Sequence, residues 1–243
     1  MGRSFRYLLI LLAAAAVPAQ AADRPPVVVE LFTSQGCNSC PPADAYLGEL
    51  AKRPGILALA FHVDYWNYIG WTDPFARPWS STRQKGYQKR LNERFVYTPQ
   101  MVVNGAAQGI GSERDKIEAL IRAALEAPPR PHPDLALRWR NDGALLVDVG
   151  AGASPPGAPA DIWLIGFDEM HHTQVLHGEN EGQALTDYDV VRAYRRIGAW
   201  PGWSLELVVP AGDVAALGDR AAVLVQTAGL GPILTASVAE TRK

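Results

Sequence analysis

The chain has 243 residues, of which 48% are hydrophobic and 20% charged, and its formal net charge is −2. That length holds one or two domains with a sizeable core. So even a charge balance gives no basis for a partner that is nucleic acid or an anionic membrane.

The first 21 residues read as a leader. Arg3 and Arg6 form a basic start, Tyr7 to Val17 is an apolar run too short to span a bilayer, and Ala19-Gln20-Ala21 fits a cleavage site. The expected product is exported, periplasmic or secreted, after cleavage near Ala21. Its cysteines would then meet an oxidising compartment. No later run is long and apolar enough to cross a membrane, so no stable membrane insertion is expected.

Residues 24 to 31 read as a buried strand. A short polar loop follows and delivers Cys37 and Cys40, the only cysteines of the chain. Ala43, Tyr46, Leu47, Leu50 and Ala51 then recur at helical spacing, and Pro54-Gly55 stops that helix. Ile56 to Tyr65 is a second apolar strand. Strand, helix, strand makes a βαβ unit with parallel strands, which places His62 to Trp66 near the cysteine loop. Trp79 to Phe95 reads as a helix, with Arg83, Lys85, Lys89 and Arg90 on a solvated basic face. Gln100 to Val103 is a strand ending in the hairpin signal Asn104-Gly105. A helix from Ser112 to Ala124 closes this half, 24–127.

Pro128 to Pro133 is a stiff proline-rich linker. Beyond it the period becomes two. Strands are expected at 135–139, 144–149, 161–167, 203–209, 221–227 and 233–238. Residues 190–197 fit a strand or a helix, and Met170 to Gln183 reads as a polar loop. Residues 134–243 are therefore expected to form a β-sandwich-like C-terminal domain.

Two thiols at this spacing, after a strand and at the start of a helix, are suited to thiol–disulfide exchange. By position Cys37 should be the exposed attacking sulfur and Cys40, one turn in, the resolving one. An inert disulfide and half of a metal site are the other readings of the pair. A structural zinc site needs about four ligands, and no second cysteine pair exists. Pro41 should push Cys40 out of helical geometry and delay the helix to Pro42.

Phe32-Thr33-Ser34-Gln35-Gly36-Cys37 with Cys40-Pro41-Pro42-Ala43-Asp44 resembles the thioredoxin-like superfamily. More narrowly it resembles a family of secreted bacterial proteins catalogued as a domain of unknown function. The resemblance implies an α/β fold, a thioredoxin-like βαβ…ββα domain with a β-rich extension, and brings no known activity. It places Thr98-Pro99 at the cis-proline that faces the cysteines and docks substrate. It also suggests Glu30, seven residues before Cys37, as a buried acid for proton transfer. Trp66 is a candidate wall of the substrate site. Gly178-Glu179-Asn180-Glu181-Gly182 resembles the unknown-function family's second motif, with no chemistry attached.

The leading expectation is an exported thiol–disulfide oxidoreductase. It would need no cofactor and no metal. It would act on a protein or small-molecule thiol or disulfide and exchange electrons with a redox partner. Two others stand beside it: a metal-binding protein using Cys37, Cys40 and His62, and a non-catalytic binding module. A metal site from His171, His172, His177 and Glu179 is a further possibility from ligand type.

Overall fold

The computed structural model describes residues 24–128, 130–153, 159–214 and 216–241. The expected leader, and Pro129 of the linker, lie outside the described residues.

Strand β1 (Val27–Thr33) is buried along its whole length, because both faces of the sheet are covered at that point. Helix α1 (Pro41–Leu50) leads to β2 (Ile56–His62), which pairs with β1 in parallel from Val27↔Ile56 to Thr33↔His62. Helix α2 (Pro78–Arg90) follows, then β3 (Gln100–Val103), β4 (Ala107–Ile110) and α3 (Arg114–Glu126). Strand β3 runs antiparallel to β1, and β4 antiparallel to β3.

After the linker come β5 (Leu135–Trp139), β6 (Leu145–Val149), β7 (Ala160–Gln174), β8 (Ala184–Trp200) and β9 (Leu205–Val209). A short helix α4 (Ala211–Val214), β10 (Arg220–Gln226) and β11 (Ile233–Glu240) complete the chain. Eight strands form one mixed sheet in the order β11-β10-β7-β8-β2-β1-β3-β4, and β5-β6-β9 form a second, small sheet.

Alternate residues of β1 serve two cores. Val27, Val29 and Leu31 pack with α1 and α3 side chains such as Leu47 and Ile117. Val28 and Phe32 face the other way, towards Tyr87 of α2. A third core lies between the small sheet and the large one, where Leu145 and Val147 meet Ile162, Leu164 and Val223.

The separate sandwich expected for the C-terminal half gives way to a shared sheet. Strand β8 joins β2 in parallel at Ala60↔Val190, so strands from both sides of the linker hydrogen-bond to each other. The edge of β2 would otherwise expose an unpaired backbone, and β8 covers it. Of the polar loop expected over 170–183, residues 170–174 belong to β7 and 175–183 form the loop. Strands β7 and β8 form a long hairpin paired as far as Gln174↔Ala184, and residues 190–197 lie inside β8. Its outer pairs are polar because they extend beyond the core. Helix α2 ends at Arg90, short of Phe95.

Candidate functional site

The site begins where β1 ends. Gly36 passes close to Trp66: a Cβ on it would sit 3.3 Å from the Trp66 Cβ. The Cys37 amide donates to the Ser34 carbonyl (3.1 Å) and the Cys40 amide to the Cys37 carbonyl (3.2 Å), which folds the loop into a tight turn. Cys37 and Cys40 are joined as a disulfide, with their Cα atoms 5.5 Å apart.

Cys40 caps α1 in helical geometry, φ −81° and ψ −36°, and the helix starts at Pro41 rather than Pro42. Proline is tolerated there because amides of the first turn lack intrahelical partners anyway. Pro41 and Pro42 nevertheless remove two donors from the helix start. The next two amides, of Ala43 and Asp44, are spent on the Cys40 carbonyl. Hydroxyls take the place of amides at the first sulfur. The Thr98 hydroxyl donates to Cys37 Sγ at 3.3 Å, and the Ser39 hydroxyl lies 3.3 Å away. Thr98 is itself fixed by the Trp66 indole N–H, which donates to its oxygen at 2.8 Å. The Thr98–Pro99 bond is cis. The fold thus gathers Cys37, Cys40, Thr98 and Trp66 into one place.

Neither sulfur is open to solvent. Cys37 is only 2% exposed, where exposure was expected, and Cys40 is 0% exposed. The tip of the β7–β8 hairpin lies against the backbone of the cysteine loop. Asn180 donates its amide hydrogens to the carbonyls of Gln35 (2.9 Å) and Cys37 (3.0 Å).

Glu30 stands elsewhere. It projects towards α2, on the side of β1 opposite α1. There it accepts from Arg83 Nε at 2.6 Å and from the Tyr87 hydroxyl. Arg83, expected on a solvated helix face, is 2% exposed, and it also reaches Tyr194 of β8 and Gln226 of β10. Lys85, Lys89 and Arg90 do face solvent.

A buried acidic group lies on the α1 side instead. Asp44 is one turn beyond Cys40 on α1, so their side chains share a helix face. The Thr33 hydroxyl donates to its carboxyl at 2.7 Å. His62 Nδ1 is 2.7 Å from Asp73, and its Nε2 is 3.9 Å from Asp187 with no hydrogen-bond partner. Gln35 ties this group to the cysteine loop: its backbone N–H donates to Asp73 (2.8 Å) and its side chain to Asp187 (2.6 Å).

Three carboxyls thus share one imidazole in a buried space. Burial pushes the Asp44 carboxyl up to about 8, reinforced by the charge of Asp187 and opposed by His62 and Thr33. Burial also raises Asp187. For His62 burial works downward, but the carboxylates, Asp73 foremost, outweigh it and lift the imidazole to about 9. For Asp73 burial works upward and is outweighed by His62, so it stays below the usual range. These shifts favour a protonated Asp44 and a charged His62–Asp73 pair at pH values below about 8. Of these residues, sequence reasoning singled out His62 alone. Thr33, Gln35 and Asp44 lay within the resembling motif without a role attached, and the spacing of Cys40 and Asp44 on a helix was a further signal.

Among the described residues no three His, Cys, Asp or Glu side chains are arranged to hold a metal ion. His62 is engaged with Asp73. His171 lies 2.8 Å from Asp168, His172 lies 3.0 Å from Thr186, and Glu179 accepts from the Asn38 amide at 3.4 Å. No helix among the described residues is long and apolar enough to cross a membrane.

Fold and site define a mixed α/β protein with a Cys-x-x-Cys disulfide at a strand-to-helix turn. The chain belongs to the family described as protein of unknown function (DUF1223), whose model matches residues 28–226. It is similar to the crystal structure of an Agrobacterium tumefaciens protein from a structural genomics consortium. The two are 31% identical over 92% of this chain and 97% of that one, with a TM-score of 0.76. No curated protein matches the chain.

Proposed function

We propose that the protein is an exported thiol–disulfide oxidoreductase whose first half is a thioredoxin-like unit. The observation that carries this reading is the surroundings of the two sulfurs. Cys37 has a hydroxyl donor from Thr98, and Cys40 has the buried Asp44 one turn away.

In the reducing direction the Cys37 thiolate attacks one sulfur of a substrate disulfide, and the other sulfur leaves as a thiolate. Cys40 then attacks Cys37 Sγ, closing the enzyme disulfide and releasing the second substrate sulfur. The thiol protons of Cys37 and Cys40 end on the two product thiols. The hydroxyls of Thr98 and Ser39 stabilise charge on Cys37 by hydrogen bonding, in place of the missing helix-start amides. The raised Asp44 value, about 8, lies near the ordinary thiol range, so the ionised fraction of Asp44 can take the Cys40 proton and, once protonated, pass it on. This gives Asp44 the relay role that sequence reasoning offered to Glu30, whose carboxylate is committed to Arg83. Thr98, Pro99 and Trp66 form the wall on which substrate docks.

The test is a trapping experiment. Cys40→Ser protein, incubated with a disulfide such as oxidised glutathione, should accumulate one mixed disulfide at Cys37, and wild type should not. Cys37→Ser should trap far less. No adduct on Cys37 in the folded Cys40→Ser variant, with no exchange by wild type, refutes the proposal.

A further inference from the structure

We propose that Asn180 is a latch: it positions the cysteine loop and holds the β7–β8 hairpin tip shut over Cys37, and the tip must lift before any thiol or disulfide reaches the sulfurs. The inference deepens the oxidoreductase reading and rests on it for its purpose, though not for its test.

A sulfur exchanges only when the incoming sulfur can reach it. With Cys37 at 2% and Cys40 at 0% exposure, the structure has no such approach. The loop itself is not all hidden, since Asn38 and Ser39 face solvent. What closes the site is therefore local.

Residues 175–183 make their own turn. Val175 N–H donates to the Gln183 carbonyl, Gly182 N–H to Val175 and Glu181 N–H to Gly178, at 2.9, 2.9 and 3.1 Å. Gly178, at φ +84°, lets the turn lie against the chain at Ile69 to Trp71, where a Cβ would sit 3.2 Å from the Trp71 Cβ. The tip's own hydrogen bonds do not involve the cysteine loop, so it can lift as a unit. Its polar links to that loop come from two adjacent side chains. Asn180, 3% exposed, holds the Gln35 and Cys37 carbonyls, and Glu179 holds the Asn38 amide. Together they grip the Cys37–Asn38 peptide by both its oxygen and its N–H. These contacts are to backbone, so they persist whether the sulfurs are joined or reduced.

Without the Asn180 amide, the closed state keeps two carbonyls partly unpaired, whereas the open state offers them water. The loss therefore falls on the closed state. Asn180→Leu keeps the approximate shape and removes the donors.

The experiment labels chemically reduced protein with iodoacetamide. Asn180→Leu and Asn180→Ala should each speed labelling of Cys37 by roughly tenfold or more, the scale expected from two lost hydrogen bonds. The same loss destabilises the folded state, so their urea unfolding midpoints should fall by about 0.5 M while the variants stay folded. Glu179→Ala should give a smaller acceleration, because its contact is longer and exposed. Unchanged Cys37 labelling in folded Asn180 variants overturns the latch.

Wild type supplies a test that needs no variant. Cys37 labelling should depend only weakly on urea well below the unfolding midpoint, as a local opening does. If it follows global unfolding at every urea concentration, there is no latch. Labelling needs no turnover. Faster labelling in the variants without disulfide exchange by any form would leave the latch standing and remove the oxidoreductase reading.

Discussion

Replacing Asp44 by Asn removes a titrating carboxyl one turn beyond Cys40 on α1 and keeps its shape. The folded environment holds this carboxyl at about 8 against an ordinary 3.8, with burial as the main cause. An acid whose value is raised on folding stabilises the fold at low pH, and that contribution is lost as pH rises through the folded value. At about 1.4 kcal/mol per pH unit, full ionisation of Asp44 costs on the order of 5 kcal/mol. Asn bears no such cost, and its oxygen can still accept the Thr33 hydroxyl. The variant should therefore match wild type to within about 1 kcal/mol at pH 4, where both side chains are neutral. It should pull ahead steadily between pH 4 and pH 9. His62, raised to about 9 from 6.5, adds a loss of the same sign in both proteins as pH rises from 6.5 to about 9. Urea unfolding of the oxidised protein at pH 4, 7 and 9 measures the gap. With a slope of about 2–3 kcal/mol per molar, the midpoint of the variant at pH 9 should lie roughly 2 M higher. Parallel pH profiles for the two proteins would show that Asp44 is not held protonated, and would remove the basis for its proton-relay role.

Two further outcomes test the scaffold. Arg83→Ala strands a fully buried Glu30 carboxylate and should cost about 3–5 kcal/mol by urea unfolding. Adding Glu30→Gln should recover part of that, and a double variant no better than the single would contradict the ion-pair account. Gly48→Ala normally gains about 1 kcal/mol in a helix, but here the new Cβ would lie 2.4 Å from the Tyr188 ring of β8. A lower melting temperature is expected, largely restored by Tyr188→Ala, and a gain in stability would show that α1 and β8 pack more loosely than described.

Much of the N-terminal half was legible because its signals are local. The apolar runs at 24–31 and 56–65, the helical spacing after Cys40 and the Asn104-Gly105 turn each prescribe their element within a few residues. The cysteine pair was equally plain, and so was its closeness to Trp66 once a βαβ unit was assumed, whereas the place of Thr98 came from the resemblance to thioredoxin-like proteins. Burial and pairing were not legible. Arg83 reads as a surface charge beside Lys85 and Lys89, and only the position of β1 against α2 shows that it meets Glu30. Glu30 and Asp44 are both acids near cysteines in sequence. Which of them stands by the sulfurs depends on the side of β1 that α1 covers.

What the sequence by itself determined is therefore the set of short elements and the Cys-x-x-Cys pair, since periodicity, turn residues and cysteine spacing act over a few residues. Only the tertiary structure decided that β8 joins β2 across the linker, that Asp73 and Asp187 gather round His62, and that Asn180 bonds to the Cys37 carbonyl. Those partners lie up to 152 residues apart in the chain, as Gln35 and Asp187 do. Contacts of that kind follow from how whole faces pack to bury apolar surface, which no local pattern encodes.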